Sequence, residues 1–158
     1  MSQIHLAAER VIDAPADVVY HCIADYRVHH RPGGFLPPVF SDLQVERGGV
    51  GDGTIISFKM TLGGRTRTVT QAITEPEPGR VLVESGDGAQ TTFTVEPAQQ
   101  RCRVRFDTLL QADGLPGLLT RLIAPRLLRP VYADELDRLE QHARAHDHHH
   151  MPVSTDPR

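Results

Sequence analysis

Two alternating segments joined by a pair of glycines constrain the fold more than any other feature of this chain. In TIISFKMTL (54–62), apolar residues at 56, 58, 60 and 62 alternate with polar residues at 57, 59 and 61, as in a strand with one buried face. Gly63 and Gly64 follow directly and form a two-residue hairpin signal. The sequence therefore predicts an antiparallel hairpin near the centre of the chain.

The hairpin also predicts which side chains share a face, because directly paired residues across a hairpin point to the same side. With the two glycines as the turn, Arg67 pairs with Met60 and Gln71 pairs with Ile56. Both polar side chains then lie on the apolar face, where they need partners or solvent.

Other short alternating segments surround this hairpin. Glycine- or proline-rich turns such as EPEPGR (75–80) separate several of them. Counting the hairpin, we expect seven strands, near 4–12, 39–46, 54–62, 65–74, 81–85, 91–96 and 102–109. Such closely spaced strands are mostly antiparallel.

Two helical regions flank the strands. The first follows Pro15, which suits a first helical turn, and we expect it to end near Asp25 or Tyr26. The second runs to about Arg144. Pro125 and Pro130 each remove a helix hydrogen bond, so we expect a short helix or lid, a break and then the main C-terminal helix. The histidine-rich tail, 146–158, is predicted to be disordered.

Bulk properties exclude several classes of function. A chain of 158 residues suits one domain, and a net charge of -3 provides no basic field for nucleic acid. No apolar run is long enough for membrane insertion, and the start of the sequence lacks a signal-peptide pattern, so we expect a cytoplasmic protein. Cys22 and Cys102 are expected to be isolated buried thiols.

Several motifs resemble the START-like, or SRPBCC, superfamily, and most closely its polyketide cyclase/dehydrase-like group. They are IDAPADVVYHCIADY, GGVGDGTIISFKM, TEPEPGRVLVES and YADELDRLEQHA, and the resemblance covers residues 3–145. It implies an α+β helix-grip fold: a seven-stranded curved antiparallel sheet wrapped around a long C-terminal helix, with one or two short helices after strand 1. Residues 1–145 would form this ligand-binding domain.

The resemblance implies an apolar cavity between the sheet and the last helix. The expected apolar lining is Val19, Ile23, Ile56, Phe58, Met60, Val69, Phe93, Phe106, Leu128, Tyr132 and Leu136. The segment HHRPGGFLPPVF (29–40) would lie at the cavity rim, with Phe35 and Leu36 as a gate or plug. His29, His30 and Arg31 are then expected to be mostly solvated.

Polar side chains on this lining are candidates for ligand contacts. Arg67 could hold a carboxylate, phosphate or phenolate, or it could lie at the rim with its head in water. Gln71 and Tyr132 could orient a carbonyl or hydroxyl group.

The histidines suggest two further arrangements. His21, Asp25 and His29 could assemble a general base, although no second element of a reaction is visible. His142 and His146 share a helix face, which is compatible with weak zinc or nickel binding. We assign no catalytic residue, no metal site and no cofactor from the sequence.

Three functions stay open at this point. The first is binding of a small hydrophobic or amphipathic molecule, lipid- or polyketide-like, in the cavity. The second is a polyketide cyclase/dehydrase-type enzyme acting on a poly-carbonyl substrate, with Arg67, Tyr132 or a histidine as candidates. The third is a protein-interaction or chaperone-type module. The expected partner is a small hydrophobic ligand, and the chain is expected to be a monomer or homodimer.

Overall fold

The computed structural model describes residues 3–111 and 118–147, except for the side chains of 118–124. One short helix follows the first strand, six further strands follow it, and a long helix ends the fold. The elements are β1 (Gln3–Ile12), α1 (Ala16–Ala24), β2 (Phe40–Arg47), β3 (Ile55–Leu62), β4 (Arg65–Glu77), β5 (Val81–Gly86), β6 (Ala89–Ala98), β7 (Arg101–Gln111) and α2 (Leu118–Asp147).

The seven strands form one curved antiparallel sheet in the order β1-β7-β6-β5-β4-β3-β2. Apart from the β1–β7 pair, each strand pairs with its neighbour in sequence, as expected for strands linked by short turns. The predicted helix-grip fold, with its seven strands and long last helix, is confirmed.

The central hairpin has the predicted register. Leu62 pairs with Arg65, and Met60 pairs with Arg67. Gly63 and Gly64 have φ values of 57° and 76°. A two-residue turn with positive φ at both positions matches the twist of the strands, and glycine adopts it without the penalty that a Cβ brings.

The last helix buries one face against the sheet and α1. Its buried residues recur every three to four positions, the period of one helix face: Leu128, Tyr132, Glu135, Leu136, Leu139 and Ala143. This helix covers the sheet and closes one side of the space within its curve. It thereby forms one wall of the site described below.

The predicted break in the last helix is wrong, because α2 runs from Leu118 to Asp147 with Pro125 and Pro130 inside it. Each proline removes a backbone hydrogen bond. Pro130 lies on the exposed face, where water can satisfy the freed carbonyl, while Leu128 and Tyr132 on either side are buried. Packing of the buried face therefore keeps the helix continuous. The helix also includes residues 146 and 147 of the predicted tail, and 148–158 lie outside the described residues.

Residues 25–39 connect α1 to β2 and fold back against the helices. Oδ1 of Asp25 accepts the backbone N–H groups of Arg27 and Val28, each at 3.1 Å, which closes a turn after α1. Further on, the N–H of Gly34 donates to the carbonyl of Arg31 at 2.8 Å. A Cβ on Gly34 would lie 2.0 Å from the carbonyl oxygen of His29, so only glycine fits there.

Neither of the two described helices is long and apolar enough to cross a lipid bilayer.

Candidate functional site

A cavity of about 820 Å³ lies between the curved sheet, α2 and the segment after α1. Most of the predicted lining residues face it: Ile23, Phe35, Leu36, Ile56, Phe58, Met60, Arg67, Val69, Gln71, Phe93, Phe106, Leu128 and Tyr132. The sequence located this wall because strand alternation and the helix period identify the inward faces. A cavity of this size, mostly apolar with a few polar groups, has the form of a small-molecule site.

Val19 and Leu136 were predicted to line the cavity but lie elsewhere. Val19 is 0% exposed and belongs to the hydrophobic core, one helical turn before Ile23. Leu136 is also a core residue and lies beside Ala8 of β1. Leu136 shares a helix face with Tyr132 but lies about 6 Å further along the helix axis, so it packs against a different part of the curved sheet. Both residues support the cavity wall from behind.

Two arginines, Arg65 and Arg67, lie at the mouth of the cavity. The Arg67 side chain is exposed, and its Nη2 donates to the backbone carbonyl of Asp87 at 3.2 Å. Oδ2 of Asp87 accepts the N–H of Thr70 at 2.6 Å, which fixes this corner, and Arg65 lies at the same edge. Of the two alternatives for Arg67, the structure has the rim position, with the charged head near water.

Gln71 is an inward polar residue of β4. It pairs with Ile56 as predicted and is 6% exposed. Its Oε1 has no hydrogen-bond partner among the described residues. A buried acceptor without a partner carries a free-energy cost of about 1–3 kcal/mol, which a bound hydroxyl or N–H donor would relieve.

Two carboxyl groups on the cavity wall, one half-buried (Glu84) and one buried (Glu135), were not predicted from the sequence. Glu84 comes from β5 and Glu135 from α2. Oε1 of Glu84 accepts a hydrogen bond of 2.6 Å from the hydroxyl of Tyr26, a residue with 0% exposure. The two carboxyls and the phenol form a polar floor in an otherwise apolar space.

Burial shifts the acidity of both carboxyls. Loss of hydration raises the pKa of Glu84 to about 7, and the Tyr26 hydrogen bond opposes part of that rise. Loss of hydration also raises the pKa of Glu135 to about 8, with further contributions from the negative charges of Glu84 and Asp134. Both groups therefore exchange protons close to neutral pH.

The sequence held a signal for both carboxyls. Glu84 stands two positions after Leu82, which is buried, so the alternation of β5 directs it inward. Glu135 stands three positions after Tyr132 on the same helix. An acid in phase with an apolar stripe indicates a carboxyl that faces the interior.

A chain of hydroxyls adjoins the polar floor. The hydroxyls of Tyr132 and Thr108 lie 2.7 Å apart, and those of Thr108 and Thr91 lie 2.9 Å apart. Burial raises the pKa of Tyr132 to about 12, so its phenol keeps its proton at neutral pH. These three neutral hydroxyls can donate hydrogen bonds to a ligand or accept them from it.

The rim histidines were predicted to be solvated, and that prediction is wrong. His29 is 3% exposed and His30 is 6% exposed, whereas Arg31 is exposed as expected. The turn closed by Asp25 folds this segment back onto α1 and α2, a long-range contact that no local pattern specifies. His30 lines the cavity, donates from Nε2 to the carbonyl of Ile23 at 2.9 Å and contacts the ring of Phe35.

The proposed histidine base does assemble, but outside the cavity wall. One donor atom from each of His21, Asp25 and His29 lies within 4.8 Å of the others. His29 also faces the last helix, where its Nδ1 lies 2.8 Å from Nε2 of His142. Burial lowers the pKa of His29, and it lowers that of His142 to about 4, so both rings are neutral at pH 7.

Comparisons with known proteins agree with this architecture. The sequence profile of the family described as polyketide cyclase / dehydrase and lipid transport matches residues 3–144. Comparison with curated proteins found no significant match. Among solved structures, the KanY protein is similar, with 26% identity and a TM-score of 0.77 over 91% of this chain and 99% of that chain.

Two solved enzymes share the fold at lower identity. The Zhui aromatase/cyclase of a Streptomyces strain has 14% identity and a TM-score of 0.70, over 92% of this chain and 96% of that chain. Norcoclaurine synthase of Thalictrum flavum, solved with dopamine and hydroxybenzaldehyde, has 15% identity and a TM-score of 0.66, over 92% of this chain and 88% of that chain.

Proposed function

Because the chain belongs to the polyketide cyclase / dehydrase and lipid transport family, we propose that it binds a small hydrophobic molecule with one polar end in its internal cavity. Family membership also confirms the resemblance identified from the sequence. The observation that carries the proposal is a cavity of about 820 Å³ whose apolar wall surrounds a few polar side chains.

The polar groups define the kind of ligand. At a pH below the pKa values of Glu84 and Glu135, both carboxyls are protonated, and a protonated carboxyl can donate to a carbonyl oxygen. The unpartnered Oε1 of Gln71 accepts from a hydroxyl group. A neutral phenol or ketone on an apolar ring system fits these groups, and the arginines at the mouth suit a ligand whose outer end is anionic.

Binding can be tested with the full chain and the amphipathic dye 1-anilinonaphthalene-8-sulfonate. Val69 faces the cavity and its neighbour Thr68 is exposed on the opposite face of β4. We expect Val69→Trp to abolish stoichiometric dye binding and Thr68→Trp to leave it unchanged. Unchanged dye affinity in a folded Val69→Trp protein would rule out the cavity as the binding site.

Recognition of the ligand's polar end is tested by comparing the affinity for 2-naphthol with the affinity for naphthalene, which lacks the hydroxyl. A preference for naphthol of about tenfold is expected from one buried hydrogen bond. Gln71→Leu should remove that preference while naphthalene still binds. If Gln71→Leu keeps the preference, the hydroxyl is recognised by another group.

A second candidate function is proton-transfer catalysis of the cyclase or dehydrase type. The observation that favours it is the pair of cavity carboxyls with pKa values near neutral pH, where a general base is most effective. In this scheme the ionised Glu84, which has the lower pKa of the pair, removes a proton from the carbon between two carbonyl groups, and the electron pair moves onto a carbonyl oxygen. Protonated Glu135 donates a hydrogen bond to that oxygen.

Deuterium exchange tests this second function without a known substrate. In D₂O, the wild-type protein should accelerate exchange at the carbon between the carbonyls of 1-phenylbutane-1,3-dione, with a rate that rises through pH 7 and falls above pH 8. Glu84→Gln should remove the acceleration, while Asp134→Asn, at a surface carboxyl of α2, should retain it. Equal exchange in the wild type and Glu84→Gln would exclude Glu84 as the base and leave the binding function intact.

A further inference from the structure

Three metal-ligating side chains meet where α1, the turn after it and α2 come together. One donor atom from each of Cys22, His29 and His142 lies within 4.8 Å of the donor atoms of the other two. We propose that these three side chains bind Zn²⁺ or a similar divalent first-row transition metal. The described lining of the cavity includes none of the three, so this site is separate from the ligand site.

The histidine pair needs only a small movement to hold an ion. Nδ1 of His29 and Nε2 of His142 face each other at 2.8 Å. A tetrahedral zinc ion at about 2.0–2.1 Å from each nitrogen places the nitrogens about 3.3 Å apart, and a Zn–S bond of about 2.3 Å places sulfur about 3.6 Å from each nitrogen. The rings therefore separate by about half an ångström to admit the ion, which small χ rotations provide.

The chemistry of the three groups suits a borderline-soft cation. A neutral imidazole offers a nitrogen lone pair to a metal ion, and a cysteine thiol binds one as the thiolate. On binding, the S–H bond breaks, the Sγ–metal bond forms and the proton leaves to solvent. One sulfur and two nitrogens favour zinc over calcium or magnesium.

Two further histidines, His146 and His21, lie near the three proposed ligands. The ring of His146 lies 4.7 Å from that of His29 and 4.3 Å from that of His142, centroid to centroid. Its Nδ1 donates to the His142 carbonyl at 2.8 Å, which holds the ring beside the proposed ligands. His21 lies on the other side of His29 with its side chain 62% exposed, and it marks the side from which an ion can enter.

The three ligands come from two adjacent segments and from a helix more than 100 residues further along the chain. Cys22 lies on α1, His29 on the turn after it and His142 on α2. The ring of Phe35, on the cavity wall, lies 6.0 Å from that of His142. A bound ion would therefore fasten α1 to α2 beside the cavity rim and raise the melting temperature of the whole domain.

Cobalt binding tests the proposal, because tetrahedral Co²⁺ absorbs in the visible and a thiolate ligand adds a charge-transfer band in the near ultraviolet. The experiment uses the full chain with His148, His149 and His150 replaced by alanine, since consecutive histidines bind metal by themselves. We expect one equivalent of Co²⁺ to bind with both spectral features, and one equivalent of Zn²⁺ to displace it. Absence of stoichiometric binding in this protein overturns the proposal.

Single substitutions then identify the ligands. Cys22→Ser should remove the charge-transfer band, whereas Cys102→Ser, the matched change at the other buried cysteine, should keep it. His142→Gln should weaken binding by about 100-fold or more, because loss of a ligand costs at least as much as loss of its supporting group. Binding that depends on His21 and His29 but not on Cys22 or His142 would overturn the assignment. The cobalt spectrum of the protein that keeps all three proposed ligands tests the site even where a ligand variant fails to fold.

Discussion

The hydroxyl of Tyr26 donates a hydrogen bond of 2.6 Å to Oε1 of Glu84, joining the segment after α1 to the middle of β5. Tyr26 is fully buried, and Glu84 faces the cavity. The bond therefore supports one of the two carboxyls on which the proposed chemistry depends.

Tyr26→Phe should raise the pKa of Glu84 further above its value of about 7, because the phenol hydrogen bond favours the ionised carboxylate. It should also destabilise the domain by about 2 kcal/mol, the cost of leaving a buried polar group without its partner. A carbon-13 NMR titration of the glutamate carboxyls measures the first effect and urea unfolding measures the second. An unchanged Glu84 pKa in the folded variant would contradict this account of the site.

Glu135→Gln should change how stability depends on pH. Because the folded-state pKa of Glu135 is raised from 4.5 to about 8, its contribution to stability is fully present below pH 4.5 and is lost as the pH rises toward 8. The charged or titratable groups around it are Glu84, Asp134, Tyr26 and Tyr132. We expect the variant to be more stable than the wild type by about 5 kcal/mol at pH 8.5 and equal to it near pH 4.5.

The melting temperatures of both proteins across this pH range provide the measurement. Asp134→Asn serves as the control, since Asp134 is more exposed and pairs with Arg138 at 2.9 Å on the helix surface. A stability difference between Glu135→Gln and the wild type that stays constant from pH 4.5 to pH 8.5 would show that Glu135 does not titrate in this window.

Gly34→Ala should loosen the cavity rim. The new Cβ would lie 2.0 Å from the His29 carbonyl oxygen, so the turn that precedes Phe35 must open. Gly33→Ala is the matched control, because a Cβ there meets no atom within 4 Å and only its φ of +85° opposes the change, at about 1 kcal/mol. We expect faster dye release, by stopped-flow fluorescence, from Gly34→Ala alone. Equal rates of dye release from both variants would show that Phe35 does not act as a gate.

Core and cavity positions should respond differently to truncation. Leu136→Ala, inside the core, should cost about 2–5 kcal/mol because it leaves an unfilled space. Met60→Ala, on the cavity wall, should cost less, since its side chain is partly exposed to an existing cavity and loses fewer contacts. Chemical denaturation measures both, and a larger loss for Met60→Ala would contradict the assignment of these two faces.

Local sequence patterns were sufficient for the sheet and for most of the cavity wall. The Gly63–Gly64 turn set the register that brings Gln71 opposite Ile56, because a two-residue hairpin leaves a single way to pair the strands. The same reasoning failed where contacts are long-range. Pro130 suggested a break, but burial of Leu128 and Tyr132 on either side keeps the helix intact.

The sequence by itself determined the fold class and the inward faces of the strands, because side-chain periodicity and turn chemistry are local properties of the chain. Only the tertiary structure decided the chemistry of the interior. Glu84 acquires its raised pKa through burial, and it contacts Tyr26, 58 residues away in sequence. His29 meets His142 across 113 residues. Pairing of this kind depends on which distant segments pack together, and no local pattern encodes that.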